Sequence, residues 1–257
     1  MRSFSLQIHQ QRSFMFPISD ENPTRTTPYF TYGLILVNVL VFLFELSLPE
    51  AGLNQFMHAA AVVPKELAAS FQGAPARMGE LPEWSTLITS QFLHGGWLHL
   101  LGNMLFLWIF GNNVEDELGH TKYLILYLAS GILAALTQWF FYPTSAIPSL
   151  GASGAIAGVM GAYIIRFPRA RILTFISIFL IRVPAIVFLG LWFVQQAFYG
   201  LASLNVPTNI GMENGGIAYW AHAGGFVFGI VLALVFGIRK DVDALLADAP
   251  GNIPLDS

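Results

Sequence analysis

Six apolar stretches of near-spanning length, at about Tyr29–Leu48, Trp97–Gly111, Tyr123–Tyr142, Ala152–Phe167, Pro184–Leu204 and Ile217–Ile238, restrict what this chain can fold into more than anything else in it. Hydrocarbon offers no water to backbone N–H and C=O groups, so such a run is read as a helix that satisfies them internally. Composition points the same way: 55% of residues are hydrophobic and 11% charged, whereas soluble domains carry about a quarter charged residues. The expectation is an all-α, polytopic membrane protein of six transmembrane helices with a long outward-facing first loop, Pro49–Gly96. The second and fourth stretches fall short of the roughly twenty residues of a full span. Both carry polar residues, which short spans admit because water reaches them more easily.

Orientation follows from Lys and Arg in the connecting segments. Six spans put Arg2, Arg12, Arg25, Lys122, Arg166, Arg169, Arg171, Arg182, Arg239 and Lys240 on one side, against Lys65 and Arg77 on the other. The richer side is expected to be cytoplasmic and to hold both termini. That divides the chain into a cytoplasmic segment 1–28, a membrane domain 29–238 and a short cytoplasmic tail 239–257. Met1–Pro28 lacks an apolar core followed by a small-residue cleavage site, so no removable signal peptide is expected there. A net charge of -3 without a basic patch argues against a nucleic-acid partner. The lack of cysteine excludes disulfides, thiolate metal sites and a cysteine nucleophile.

Four polar side chains fall at matching depth. The second stretch enters from outside at Trp97 and reaches His99 and Asn103 within two turns; the fourth meets Ser153 at once; the sixth meets His222 in its second turn. Ionisable groups inside a membrane segment mark function by default, because leaving them unpaired in hydrocarbon costs several kcal/mol, roughly. Gly154, Gly158 and Ala162 recur every four residues in the fourth stretch, as Gly225 and Gly229 do in the sixth, which gives seams where two backbones can approach closely. Close approach brings Ser153 to His222. A serine hydroxyl is a poor nucleophile without a base within about 2.6–3.2 Å, and His222 is positioned to be one. Asn103 and His99, with the Ser153 backbone N–H at its helix start, are candidate oxyanion donors.

Other hydrolytic chemistries fit poorly. Glu45 is the only carboxylate within any of the six stretches, so an aspartyl pair is not available. A zinc site would need a helical pair such as His-Glu-x-x-His, which is absent, and His94 and His99 are spaced badly for one helical face. No metal and no organic cofactor are expected.

The chain resembles the rhomboid intramembrane serine proteases. The resemblance rests on His94-Gly95-Gly96-Trp97-Leu98-His99-Leu100-Leu101-Gly102-Asn103, Gly111-Asn112-Asn113-Val114-Glu115-Asp116, Gly151-Ala152-Ser153-Gly154-Ala155-Ile156 and Ala221-His222-Ala223-Gly224-Gly225-Phe226, in order, between about Trp84 and Gly237. It implies a six-helix rhomboid fold, with Ser153 as nucleophile, His222 as general base and then acid, and Asn103 and His99 stabilising the oxyanion. It further implies a mobile cap at Asn205–Gly216, substrates that are membrane-anchored proteins cut in or near a transmembrane segment, and helix-breaking and small residues around the scissile bond. A bacterial plasma membrane location, with the site near the outer face, is expected on the same ground. Two positions depart from the usual family pattern. Trp84-Ser85 replaces the Trp-Arg common in the first loop, and Ala157 stands where an aromatic often packs on the histidine, which leaves Tyr219 and Trp220 as candidates to orient His222.

Each residue also has an ordinary reading. Ser153 alone would be a packing residue in a glycine-rich helix, and His222 alone a satisfied buried histidine; the constellation makes catalysis the stronger reading. His94 is read as structural, anchoring its loop, with Gly151, Gly154, Gly158, Gly225 and Gly229 supporting the site. His9, His58 and His120 are read as surface or interfacial, and Phe106, Trp108, Trp139 and Trp192 as a lipid-facing or interfacial belt. Phe56–Val63 and Ile172–Ile181 are apolar but too short to span, so both are expected in the interface, the latter on the inner side. The principal rival is a non-catalytic rhomboid-like protein that binds transmembrane segments and controls their trafficking or degradation. A transporter ranks lower, because the polar candidates gather at one depth instead of lining the full thickness.

Overall fold

The computed structural model describes residues 15–75, 82–204 and 218–238. The polar segment before Met15, Arg77, the expected cap at Asn205–Gly216 and the basic tail from Arg239 lie outside the described residues. Nine helices form among the described residues: α1 (Tyr29–Ser47), α2 (Glu50–Ala60), α3 (Pro64–Phe71), α4 (Thr86–Thr89), α5 (Trp97–Leu118), α6 (His120–Phe141), α7 (Ser153–Arg166), α8 (Ala185–Leu204) and α9 (Tyr219–Val235). Of these, α1, α6 and α8 are long and apolar enough to cross a membrane. Residues Glu83–Phe92 and α5 make a further candidate span, bent by 82° at the Leu93–Gly96 break. The apolar helices α7 and α9 are shorter, at 14 and 17 residues.

Helix α7 is the axis of the molecule, with eleven of its 14 residues buried between α5, α6 and α9. Its small residues make that possible: a methyl built on Gly225 or Gly229 of α9 would land on the carbonyl of Gly154 or Gly158. A methyl on Gly154 would come within 2.6 Å of the Ala134 side chain on α6. Where lipid tails are as apolar as the side chains, close van der Waals contact of this kind holds helices together. By contrast α8 buries only Ala185, Phe188, Leu189, Gln196 and Gly200, and it touches the bundle mainly through α9.

The all-α expectation is corrected by a three-stranded antiparallel sheet, β1 (Met15–Asp20), β2 (Arg171–Ile176) and β3 (Phe179–Pro184), in the order β1-β2-β3. The helical rule applies only to segments that cross lipid, and Ile172–Ile181 instead pairs with itself as a hairpin, with a left-handed residue, Ser177 (φ 59°), at its turn. β-branched residues favour that pleated surface. β1 adds to the open side of β2, so Met15–Asp20 lie beside the connection between α7 and α8. Ile172 and Thr174 are buried, while Phe16, Phe175 and Leu180 remain exposed.

Helix α5 runs to Leu118, seven residues past Gly111, where the apolar stretch ends. The added turns stay helical because their polar side chains are satisfied chiefly by the first turn of α1 and the chain just before it. Glu115, buried, accepts the backbone N–H groups of Phe30 (2.9 Å) and Thr31 (2.8 Å) and the Thr31 hydroxyl (2.7 Å), and pairs with His120 Nδ1 at 2.6 Å. Those N–H groups are the orphan donors of the first turn of α1, so a carboxylate from another helix caps it. Asp116 accepts from Arg25 and Thr26, and Arg166 pairs with Glu117. This cluster sits at the end of the bundle opposite Ser153.

The segment between α1 and α5 is folded rather than trailing. Val62 bridges backbone to backbone with Ser149, at 3.0 and 2.7 Å, and Ser90 accepts the N–H of Gly151 at 2.8 Å. The stretch expected to lie in the interface therefore ends in buried residues, Ala60 to Val63, that hold the approach to Ser153.

Candidate active site

Ser153 is the first residue of α7, and the turn that delivers it is set by Gly151 at φ 121°, a backbone conformation that side chains rarely adopt. A methyl on Gly151 would also come within 2.7 Å of His99 Nε2 and 3.8 Å of Asn103 Nδ2. Both α5 side chains thus lie against the turn that precedes the serine. At the start of α7 the N–H groups of the first turn have no intrahelical acceptor and face the site with the positive end of the helix dipole.

His222 stands in the first turn of α9, and its Nε2 lies 2.7 Å from Ser153 Oγ. Both residues are half-buried, reachable from outside yet screened from bulk water. The seam of Gly154, Gly158, Gly225 and Gly229 accounts for the short distance: without Cβ atoms, the α7 and α9 backbones approach until the two side chains meet. The other imidazole nitrogen, Nδ1, donates to Gln196 Oε1 of α8 at 2.9 Å. Trp192, one turn earlier on α8, lies against the ring with centroids 5.8 Å apart.

This arrangement corrects one expectation. Trp192 packs on the imidazole and on Phe226 rather than standing only in a lipid-facing belt. Of the two residues expected to orient His222, Tyr219 packs on Tyr199, and Trp220 stacks on Phe141 with centroids 3.6 Å apart. Of the other belt residues, Trp108 is exposed and stacks on Tyr32, and Trp139 packs on Phe71 of α3. Gln196 itself went unnoticed in the sequence, although an amide deep in an apolar stretch is the same kind of signal that singled out Asn103.

The histidines behind the site form a second layer. Asn103 donates from Nδ2 to His94 Nε2 at 3.0 Å, and the His94 backbone N–H donates to Glu45 Oε1 at 3.2 Å. His94 and His99 meet edge to face at 5.1 Å, because the Gly95-Gly96 break folds the loop back over the start of α5. The helical-face argument that kept these two apart did not allow for that break. A small cavity adjoins Ser153, lined mainly by small residues such as Gly131, Ala134 and Ala221, with Gln91 and Leu150 also on its wall. No group of three or more metal-ligating side chains forms among the described residues.

Residues 81–239 match the rhomboid domain. The chain is 33% identical over 216 residues to Rhomboid protease GluP of Bacillus subtilis, covering 83% of this chain and 36% of that one. It is 36% identical over 151 residues to the mitochondrial Rhomboid protein 1 of Saccharomyces cerevisiae, covering 57% and 40%. To the human mitochondrial presenilin-associated rhomboid-like protein it is 30% identical over 150 residues, covering 57% and 36%. The chain therefore spans between about a third and two-fifths of the length of these relatives. Because they divide between a bacterium and mitochondria, the expectation of a bacterial plasma membrane draws no support from them. With the rhomboid domain covering most of its length and three of the four motifs meeting at one serine, this integral membrane protein belongs to the rhomboid family.

Proposed function

We propose that this protein is an intramembrane serine endopeptidase that cleaves membrane-anchored proteins in or near a transmembrane segment. The observation that carries the reading is the 2.7 Å contact between Ser153 Oγ and His222 Nε2, made by two helices far apart in the chain. His222 takes the proton as Ser153 attacks the carbonyl carbon and returns it to the leaving amine; water then releases the acyl group by the same route. Asn103, His99 and the Ser153 N–H receive the oxyanion, where losing one donor typically costs a hundredfold or more, roughly. A substrate amide inside an intact helix is shielded by its own turn, so the segment must unwind to reach Ser153. The small size of the cavity beside Ser153, lined mainly by glycine, alanine and serine, suits a small side chain beside the scissile bond.

Six membrane crossings, by α1, α5, α6, α7, α8 and α9, go with this reading. The site then opens near the outer face, both termini lie inside, and the folded segment between α1 and α5 faces outward. Division into segments 1–28, 29–238 and 239–257 belongs to the same proposal. A non-catalytic protein that binds transmembrane segments is the competing outcome of the test. Purified protein in liposomes is incubated with a fluorescent transmembrane peptide, alongside Ser153→Ala and His222→Ala. Cleavage by the wild type alone supports the proposal; equal product from all three overturns it. Labelling of Ser153 by a serine-directed phosphonate, lost in His222→Ala, would show the coupling of the two groups directly.

A further inference from the structure

We infer that Gln196 is a positioning residue for His222, an amide that fixes which imidazole nitrogen carries the proton. The inference rests on the proteolytic reading above and adds a third residue to it. Gln196 is buried, at 6% exposure, on a helix half of whose residues are exposed, and its Oε1 lies 2.9 Å from His222 Nδ1. A carbonyl oxygen only accepts, so Nδ1 must donate and the proton of a neutral imidazole resides there. That leaves Nε2 as a lone pair, 2.7 Å from the Ser153 hydroxyl it has to deprotonate. In the opposite tautomer Nε2–H would point at Oγ, and no base would face the nucleophile.

A carboxylate would hold the same tautomer, but it would need a charge buried at a depth where desolvation is expensive. Among the described residues, the carboxylate buried in the Ser153 half of the bundle is Glu45, and its oxygen is on the His94 backbone. An amide orients the ring without that charge. Trp192, four residues before Gln196, packs against the same ring, with centroids 5.8 Å apart, while Gln196 bonds to its Nδ1 edge. Nucleophile, base and orienting group thus come from three different helices, α7, α9 and α8. Docking of α8 on α9 becomes a condition for a correctly protonated base.

The test compares wild type, Gln196→Met, which keeps the shape and removes the acceptor, and Gln196→Glu, which keeps the acceptor. Cleavage of the liposome substrate is expected to lose about a hundredfold in kcat in Gln196→Met, with KM little changed, the scale of a mispositioned general base. Gln196→Glu is expected to recover at least about tenfold of that loss. Nitrogen-15 histidine NMR of the wild type, with the His222 signal assigned by its loss in His222→Ala, should show Nδ1 protonated. Gln196→Met should show both tautomers. The inference is overturned if Gln196→Met keeps its kcat, if Gln196→Glu falls as far as Gln196→Met, or if the wild-type ring carries its proton on Nε2. The NMR result stands whether or not the protein cleaves anything, so it separates failure of this inference from failure of the proteolytic reading, which equal product from wild type and Ser153→Ala would reveal.

Discussion

The two ends of the helix bundle treat buried polar groups in opposite ways. At the end opposite the serine, one carboxylate of Glu115 gathers two backbone N–H groups, a hydroxyl and an imidazole, and Asp116 gathers donors from both Arg25 and Thr26. At the other end Gln196, His222 and Ser153 form a single file, each nitrogen or oxygen with one partner, and the last of them half-open. A saturated cluster has nothing left to offer a substrate and serves to fix helices. A file with a free end can take on a new partner. Polarity alone therefore does not mark function in a membrane segment; the number of unspent bonds does.

Ser153→Ala is the sharpest way to break the comparison. Loss of the hydroxyl should reduce cleavage by about a thousandfold or more while leaving thermal stability in detergent within about 0.5 kcal/mol. A loss of stability as large as that of activity would mean that the open end is structural too. Gly225→Val should come next and should spare neither property, because the added carbons collide with the Gly154 carbonyl and part α7 from α9. Activity and the unfolding midpoint are expected to fall together. Normal folding with lost cleavage would show that the seam sets the distance between Ser153 and His222 without holding the bundle.

Glu115→Ala tests the saturated end. Two N–H groups at the start of α1 would be left without acceptors, each costing about 1–3 kcal/mol. The unfolding midpoint should fall markedly, while the cleavage rate per folded molecule stays near that of the wild type. Measuring turnover against the folded fraction, rather than total protein, makes the distinction. A folded but inactive Glu115→Ala would couple the two ends and end the contrast between them.

Much of this was legible in the sequence, for identifiable reasons. Apolar runs located α1, α6, α7, α8 and α9 to within three residues at either end, and small residues four apart marked where backbones could touch. Ser153 and His222 were found because polar groups are rare enough in such stretches to be noticed. The sheet was hidden because length and apolarity place Ile172–Ile181 in the interface but say nothing of strand pairing, and its partner Met15–Asp20 lies far away in the sequence. The true end of α5 was hidden because Asn113 and Glu115 look like solvent-facing residues until Asp20 and Thr31 arrive from the far end of the chain to satisfy them. Gln196 was overlooked because an uncharged amide looks unremarkable beside a histidine. No local pattern could have said that it meets His222, since that contact depends on how α8 docks.

The finest test concerns Asp20, where the saturated end meets the sheet. Its Oδ2 accepts from the Tyr163 hydroxyl at 2.7 Å and from Asn113 Nδ2 at 2.8 Å. Burial raises its carboxyl above the ordinary aspartate value of 3.8, and the bonds from Tyr163 and Asn113 offset only part of that rise. A group whose folded value is raised binds its proton more tightly in the folded state than in the unfolded one, so stability falls as pH rises from about 3.8 through the folded value. Asp20→Asn keeps an acceptor for Tyr163 and removes the titration. Between pH 7 and pH 4.5 the wild type should therefore gain more, or lose less, in unfolding midpoint than Asp20→Asn does, with cleavage at neutral pH alike in the two. Parallel midpoint curves would mean that Asp20 titrates as freely folded as unfolded. The saturated end would then be wetter than its hydrogen bonds imply, and closer in character to the open end around Ser153.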